Sequence, residues 1–213
     1  MTRHRHYLAA ATSAMLLFPV SAVAHAPSVT DEAAASPDEA IVLEDPTLSR
    51  AIGALLDTPG EVDWYRMDLQ AGDPLVVGMT APDAQGAVAA TFTLLGPGLP
   101  DASLGDAAAQ ELADAVEAEG AVVFQPAIDP PREVHAGLGF INYGTLRLEA
   151  PETGSYWVAV SAADPEATGK YVFAPGLREE FGVDAIGGMV DLIGFFNAPW
   201  PPSAVDGGPP DAG

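Results

Sequence analysis

Between Glu61 and Leu69 apolar and polar side chains alternate, with Tyr65, Met67 and Leu69 on one face and Trp64, Arg66 and Asp68 on the other. That is the period of two of a β-strand. Turn formers bracket it, Thr58-Pro59-Gly60 before and Ala71-Gly72-Asp73 after. The pattern recurs along the chain and predicts strands at Glu61–Leu69, Pro74–Ala81, Val88–Leu95, Ala121–Gln125, Tyr143–Ala150, Ser155–Ser161 and Lys170–Ala174. Tyr156, Val158 and Val160 share a face, and Tyr171 is in phase with Phe173. Short β-runs punctuated by Gly, Pro and Asp indicate an all-β sandwich of about seven to eight strands. The acids and aromatics packed between Pro59 and Asp73 are then turn, strand and turn, with Asp63 and Trp64 expected as strand-edge and packing residues.

Two segments break the β pattern. Residues 106–120 start with a capping Asp106, are filled with strong helix formers and stop at Gly120, which predicts a short helix inserted in a loop. Further on, Val183, Ile186, Val190 and Ile193 fall at helical spacing and Phe195 and Phe196 follow, so residues 177–200 form a C-terminal amphipathic segment. Its apolar stretch, Ile186–Phe196, is too short to span a bilayer and contains Asp191. The segment is either core or interaction surface, and the Pro/Gly-rich residues 201–213 are expected to be a disordered tail.

The amino terminus has the form of a secretory signal: Arg3 and Arg5, an apolar run from Tyr7 to Val20, then small residues. Two cuts fit, after Ala24 and after Ala26, and they differ in whether His25 becomes the mature terminus. Residues 1–26 are therefore taken as signal peptide, 27–40 as a flexible acidic linker and 41–176 as the sandwich. Export places the protein in the periplasm or outside the cell. No cysteine is present, which excludes thiol chemistry and disulfide staples. With 30 acidic against 8 basic residues the net charge is −22, and loss of Arg3 and Arg5 makes it more negative. That charge argues for a solvated acidic surface and against nucleic acid or anionic membrane as partner.

Three motifs in order carry a resemblance: "LLDTPGEVDWYRMDLQAGDPLVV", "TFTLLGPG" and "LEAPETGSYWVAVSAADPEATGKYVF". Together, over Leu55 to Pro175, they resemble the bacterial pre-peptidase C-terminal domain. The resemblance implies a jelly-roll-like β-sandwich in an exported protein, acting as an accessory module and not as the catalytic unit. No peptidase domain is attached, and the helical insert and the C-terminal apolar segment are additions to the family pattern.

Candidate chemistry is sparse. No G-x-S-x-G elbow, P-loop or EF-hand loop occurs, and the histidines after the signal core are His25 and His135. The expected role is a non-catalytic binding or accessory protein of the cell envelope, with a protein or glycan partner. Two metal alternatives remain. A mature His25 offers an α-amine and an imidazole, which with His135 suit copper(II). Two acid turns, Asp164–Gly169 with Asp164 and Glu166, and Ile128–Glu133, offer weak calcium ligands.

Overall fold

The computed structural model describes residues 26–30, 34–101, 107–135, 137–179 and 184–200. The signal segment, Asp106, Val183 and the tail 201–213 lie outside them. The fold is a β-sandwich with two short α-helices. Its strands are β1 (Ala26–Val29), β2 (Ile41–Val42), β3 (Arg50–Leu56), β4 (Val62–Leu69), β5 (Pro74–Pro82), β6 (Ala90–Asp101), β7 (Gly120–Phe124), β8 (Arg132–His135), β9 (Leu138–Glu149), β10 (Gly154–Ala162) and β11 (Gly169–Pro175). The helices are α1 (Ala107–Ala115) and α2 (Asp184–Asn197). One sheet has the order β1-β3-β11-β5-β9-β8 and the other β2-β4-β10-β6-β7.

Period-two alternation builds the core. Tyr65, Met67 and Leu69 of β4 point inward with Tyr156, Val158 and Val160 of β10, Phe92 and Leu94 of β6, and Tyr171 and Phe173 of β11. Tyr65 stacks on Phe173 across the two sheets, ring centroids 4.2 Å apart. In β9 the phase of the alternation changes. Ile141 and Tyr143 face the core before an irregularity at Met79/Thr80 of the β5 ladder, and Leu146 and Leu148 face it afterwards. One extra residue on β9 is what a β-bulge inserts, and it shifts the inward set by one.

Each helix covers part of an outer sheet face. Helix α1 presents Ala113 to Trp64, Leu95 and Ala159 of the five-stranded sheet. Helix α2 presents Leu192 and Phe196 to Ala51 and Val172 of the six-stranded sheet. These caps explain why Trp64, Leu95 and Val172 are buried although they point away from the shared core.

Four expectations are corrected. First, Asp63 is not a strand-edge residue: it lies on the inner face of β4 beside Tyr65 and is only 6% exposed, while Trp64 is a packing residue under α1. Second, order begins before Ile41, inside the segment expected as a flexible linker. There β1 runs parallel to β3, Ala34 is buried with its carbonyl accepting the Trp64 N–H, and Pro37–Glu39 forms a 3-10 turn. Third, strands β2, β3 and β8 lie outside the runs read from the alternation. Ala51, Ile52, Gly53, Ala54 and Leu56 of β3 are buried on both faces, so the run shows no alternation to read. Fourth, on α2 the packed stripe is Leu192 and Phe196, whereas Val190 (64%) and Ile193 (39%) face solvent.

Helix α2 is seated by close approach. Gly188 lies against the Pro27 carbonyl of β1, where any Cβ would collide, so this glycine is a contact and not a weak point of the helix. Below it, Gly53 leaves room for the Phe195 ring, which a Cβ there would meet at 2.9 Å. No helix among the described residues is long and apolar enough to cross a membrane.

Candidate functional site

Helix α2 packs on β1, β3 and β11, reaches Leu138 and Phe140 at the start of β9, and stops short of Thr145 and Arg147 further along that strand, which are exposed. Beside the helix runs a groove of about 290 Å³. Its floor is set by the ladder, in which Val76 pairs with Arg147, Gly78 with Thr145 and Thr80 with Asn142. Met189 and Leu192 of α2 form one wall, and Glu133 and His135 of β8 close the other side. Pro27, on β1, also lines it. The mix of an apolar wall with a few convergent polar groups is that of a ligand pocket.

Glu133 and His135 stand two residues apart on β8 and so share a face. His135 Nε2 lies 2.9 Å from Glu133 Oε2, and Asn142 Nδ2 donates to Glu133 Oε1 at 3.0 Å. The amide of Asn142 is itself fixed, because its Oδ1 accepts the Gly144 N–H at 3.0 Å. The bonds from His135 and then Asn142 hold the Glu133 carboxyl below the usual range, so it is an anion at neutral pH. At the far end of the floor Arg147 is exposed, and among the described residues it has no hydrogen bond or ion pair.

Among the described residues, Asp63 and Lys170 are charged-type side chains buried outside the groove. Tyr65 and Tyr171 hydroxyls are 2.8 Å apart, and Tyr171 donates to Asp63 Oδ2 at 2.5 Å, so among the described residues the buried acid has a hydroxyl as its donor and no cation. Desolvation, opposed by that bond and assisted by Glu61 and Asp57, pushes the Asp63 pKa up to about 6. Burial raises the pKa of both tyrosines. Lys170 is 2% exposed and donates to the Phe195 and Ala198 carbonyls, a cation at the C-terminal end of α2. It thereby holds the helix that forms the groove wall, and burial draws its pKa down.

Of the residues singled out from sequence, His135 falls in the groove, at the end of strand β8. His25 lies outside the described residues, immediately before β1. Asp164 closes its own turn, its Oδ1 accepting the Glu166 N–H at 3.1 Å and its carbonyl accepting the Ala167 N–H. Among the described residues no three His, Cys, Asp or Glu side chains converge as a metal site. Glu133, read from sequence as the end of an acid turn, stands on β8 beside His135, and Asn142 and Arg147 are groove residues that the sequence reading does not single out. The Glu-x-His spacing of "REVH" and the outward Arg between Leu146 and Leu148 were the available signals.

No family model matches the chain, and no curated protein matches it. Among solved structures it is similar to CorA, a surface-associated copper-binding protein important in Methylomicrobium album BG8 copper acquisition. The identity is 9%, the TM-score 0.36, and the likeness covers 65% of this chain and 98% of that one. A likeness at that score bears on neither fold nor ligand here.

Proposed function

We propose that the chain is a non-catalytic binding module of the cell envelope, an exported accessory protein of the pre-peptidase C-terminal type, and that its ligand seats in the groove beside α2. The observation that carries this reading is the groove itself: an apolar helix wall facing fixed polar groups on a rigid sheet. The sandwich and the motif order of β4, β10 and β11 support the accessory character. Thr145 is an exposed floor residue, so Thr145→Phe fills the groove without touching the core. In native mass spectrometry of protein equilibrated with soluble envelope glycans and peptides, the parent is expected to retain bound species. The filled variant should lose them at least about tenfold, roughly 1.4 kcal/mol. Equal retention by both, or none by either, would overturn the reading.

A second reading has its own observation. Pro27 lines the same groove as His135 and Glu133, so a mature chain beginning at His25 starts two residues from it. Copper(II) would then be held by the His25 amine and ring, with His135 and the Glu133 carboxylate as further donors. Intact-mass measurement of the exported protein is expected to show a chain starting at His25, and His135→Ala to weaken copper(II) binding by about tenfold or more. A chain starting at Pro27, or unchanged affinity in that variant, rules the copper site out.

A further inference from the structure

Resting on the groove as binding site, we infer that its ligand is a short extended peptide with both ends free. The argument begins with charge. Thirty acids face 8 basic residues, and the cations of the sandwich are mostly engaged. Arg66 pairs with Asp68, Arg132 with Asp83, Arg178 with Asp45, and Lys170 with α2 carbonyls. Arg147 is not engaged among the described residues, although Glu149 follows it two residues on and Glu179 lines the same groove. In so acidic a molecule an unpaired guanidinium on a groove floor is a ready partner for an anion, and its planar fork suits a carboxylate.

The opposite end has the opposite sign. Glu133 is anionic, and its two oxygens are oriented by His135 and Asn142. A carboxylate has about four lone-pair sites, so it accepts an ammonium in addition to these two bonds. The groove is thus cationic at one end and anionic at the other, as the carboxylate and amine of a peptide require.

The ladder supplies the length. Arg147 is opposite Val76, and Asn142, which holds Glu133, is opposite Thr80. Four residues of strand are about 14 Å. Glu133 itself is level with Pro82, through Phe140, and leans back to Asn142; at about 3.3–3.6 Å per residue, roughly four to six residues of extended peptide reach from one charge to the other. A single amino acid is too short. Midway, Gly78 keeps the floor low, since a Cβ there would stand 3.3 Å from Thr145 Oγ1. Met189 and Phe140, both half-buried, offer apolar contact to the peptide's side chains.

The test uses the full exported chain and the tetrapeptide Ala-Leu-Leu-Ala as probe, in free-ended, C-amidated and N-acetylated forms, by isothermal titration. The free-ended peptide is expected to bind. Amidation and Arg147→Gln should each weaken it by about tenfold or more, and the amidated peptide should be indifferent to Arg147→Gln. Acetylation and Glu133→Gln should behave as the corresponding pair at the other end. Arg147 is exposed, and an unchanged thermal midpoint checks that its variant folds. Binding of the amidated peptide as tightly as the free one, insensitivity to Arg147→Gln, or absence of binding at millimolar peptide overturns the inference. If the native mass spectra still show other species lost on Thr145→Phe, the peptide assignment alone falls; if they do not, the groove reading falls with it.

Discussion

Asp63→Asn is expected to stabilise the protein at pH 8 and to leave it nearly unchanged at pH 4. The wild-type carboxyl has a folded pKa of about 6 against 3.8 when free, so the folded state binds its proton more tightly than the unfolded state does. Below about pH 4 both states are protonated and burial of the group carries no charge cost. Between about pH 4 and 6 stability falls as pH rises, and above about 6 the full penalty is present, on the order of 3 kcal/mol. Asparagine keeps an oxygen to accept the Tyr171 hydroxyl and never ionises. The difference between the two proteins in urea unfolding across this range isolates the group from Asp45, Asp68 and Glu133. Those pKa values are lowered, so their contributions are lost as pH falls, the opposite direction. Tyr171→Phe removes the donor and should be most damaging above pH 6, where the carboxylate is ionised. Parallel pH profiles for wild type and Asp63→Asn would show that the buried carboxylate is not the source of the penalty.

Deletion of residues 179–213 is expected to destabilise the sandwich, by about 3–6 kcal/mol from the two large side chains Leu192 and Phe196 alone. The loss uncovers Ala51, Val172, Leu138 and Phe140 and removes the carbonyls to which Lys170 donates. It also takes away the helix against which β1 rests. Against a total stability of about 5–15 kcal/mol for ordinary domains, that is a large share. Leu192→Ala should cost about 2–5 kcal/mol. Val190→Ser with Ile193→Ser, both on the solvent side, should stay within about 0.5 kcal/mol each. Thermal and urea unfolding read all three. A truncated chain as stable as its parent would mean that α2 adds nothing to the core and serves only as an exposed element.

The amino-acid sequence by itself determined the β character of this protein and the inward faces of β4, β10 and β11. In β4 and β10 one side meets the core and part of the other meets water, so the alternation is written into Tyr65-Arg66-Met67 and Tyr156-Trp157-Val158, while in β11 it shows in the spacing of Tyr171 and Phe173. It also determined α1, whose run of alanines and acids between Asp106 and Gly120 favours little else. The tertiary structure decided the rest. Strand β3 is covered on both faces and carries no period, and β1 is held by β3 and α2 although its composition reads as linker. Asp63 looks like any strand acid until the second sheet closes over it and sets Tyr171 against it. On α2 two adjoining stripes are both apolar, and composition does not distinguish them. The approach of Gly188 to Pro27 turns Leu192 and Phe196 inward and leaves Val190 and Ile193 in solvent. The groove depends on that same docking, because Arg147, Asn142 and Glu133 come from separate positions along two strands. They become one site only when β8 folds beside β9 and the helix stops short of covering them.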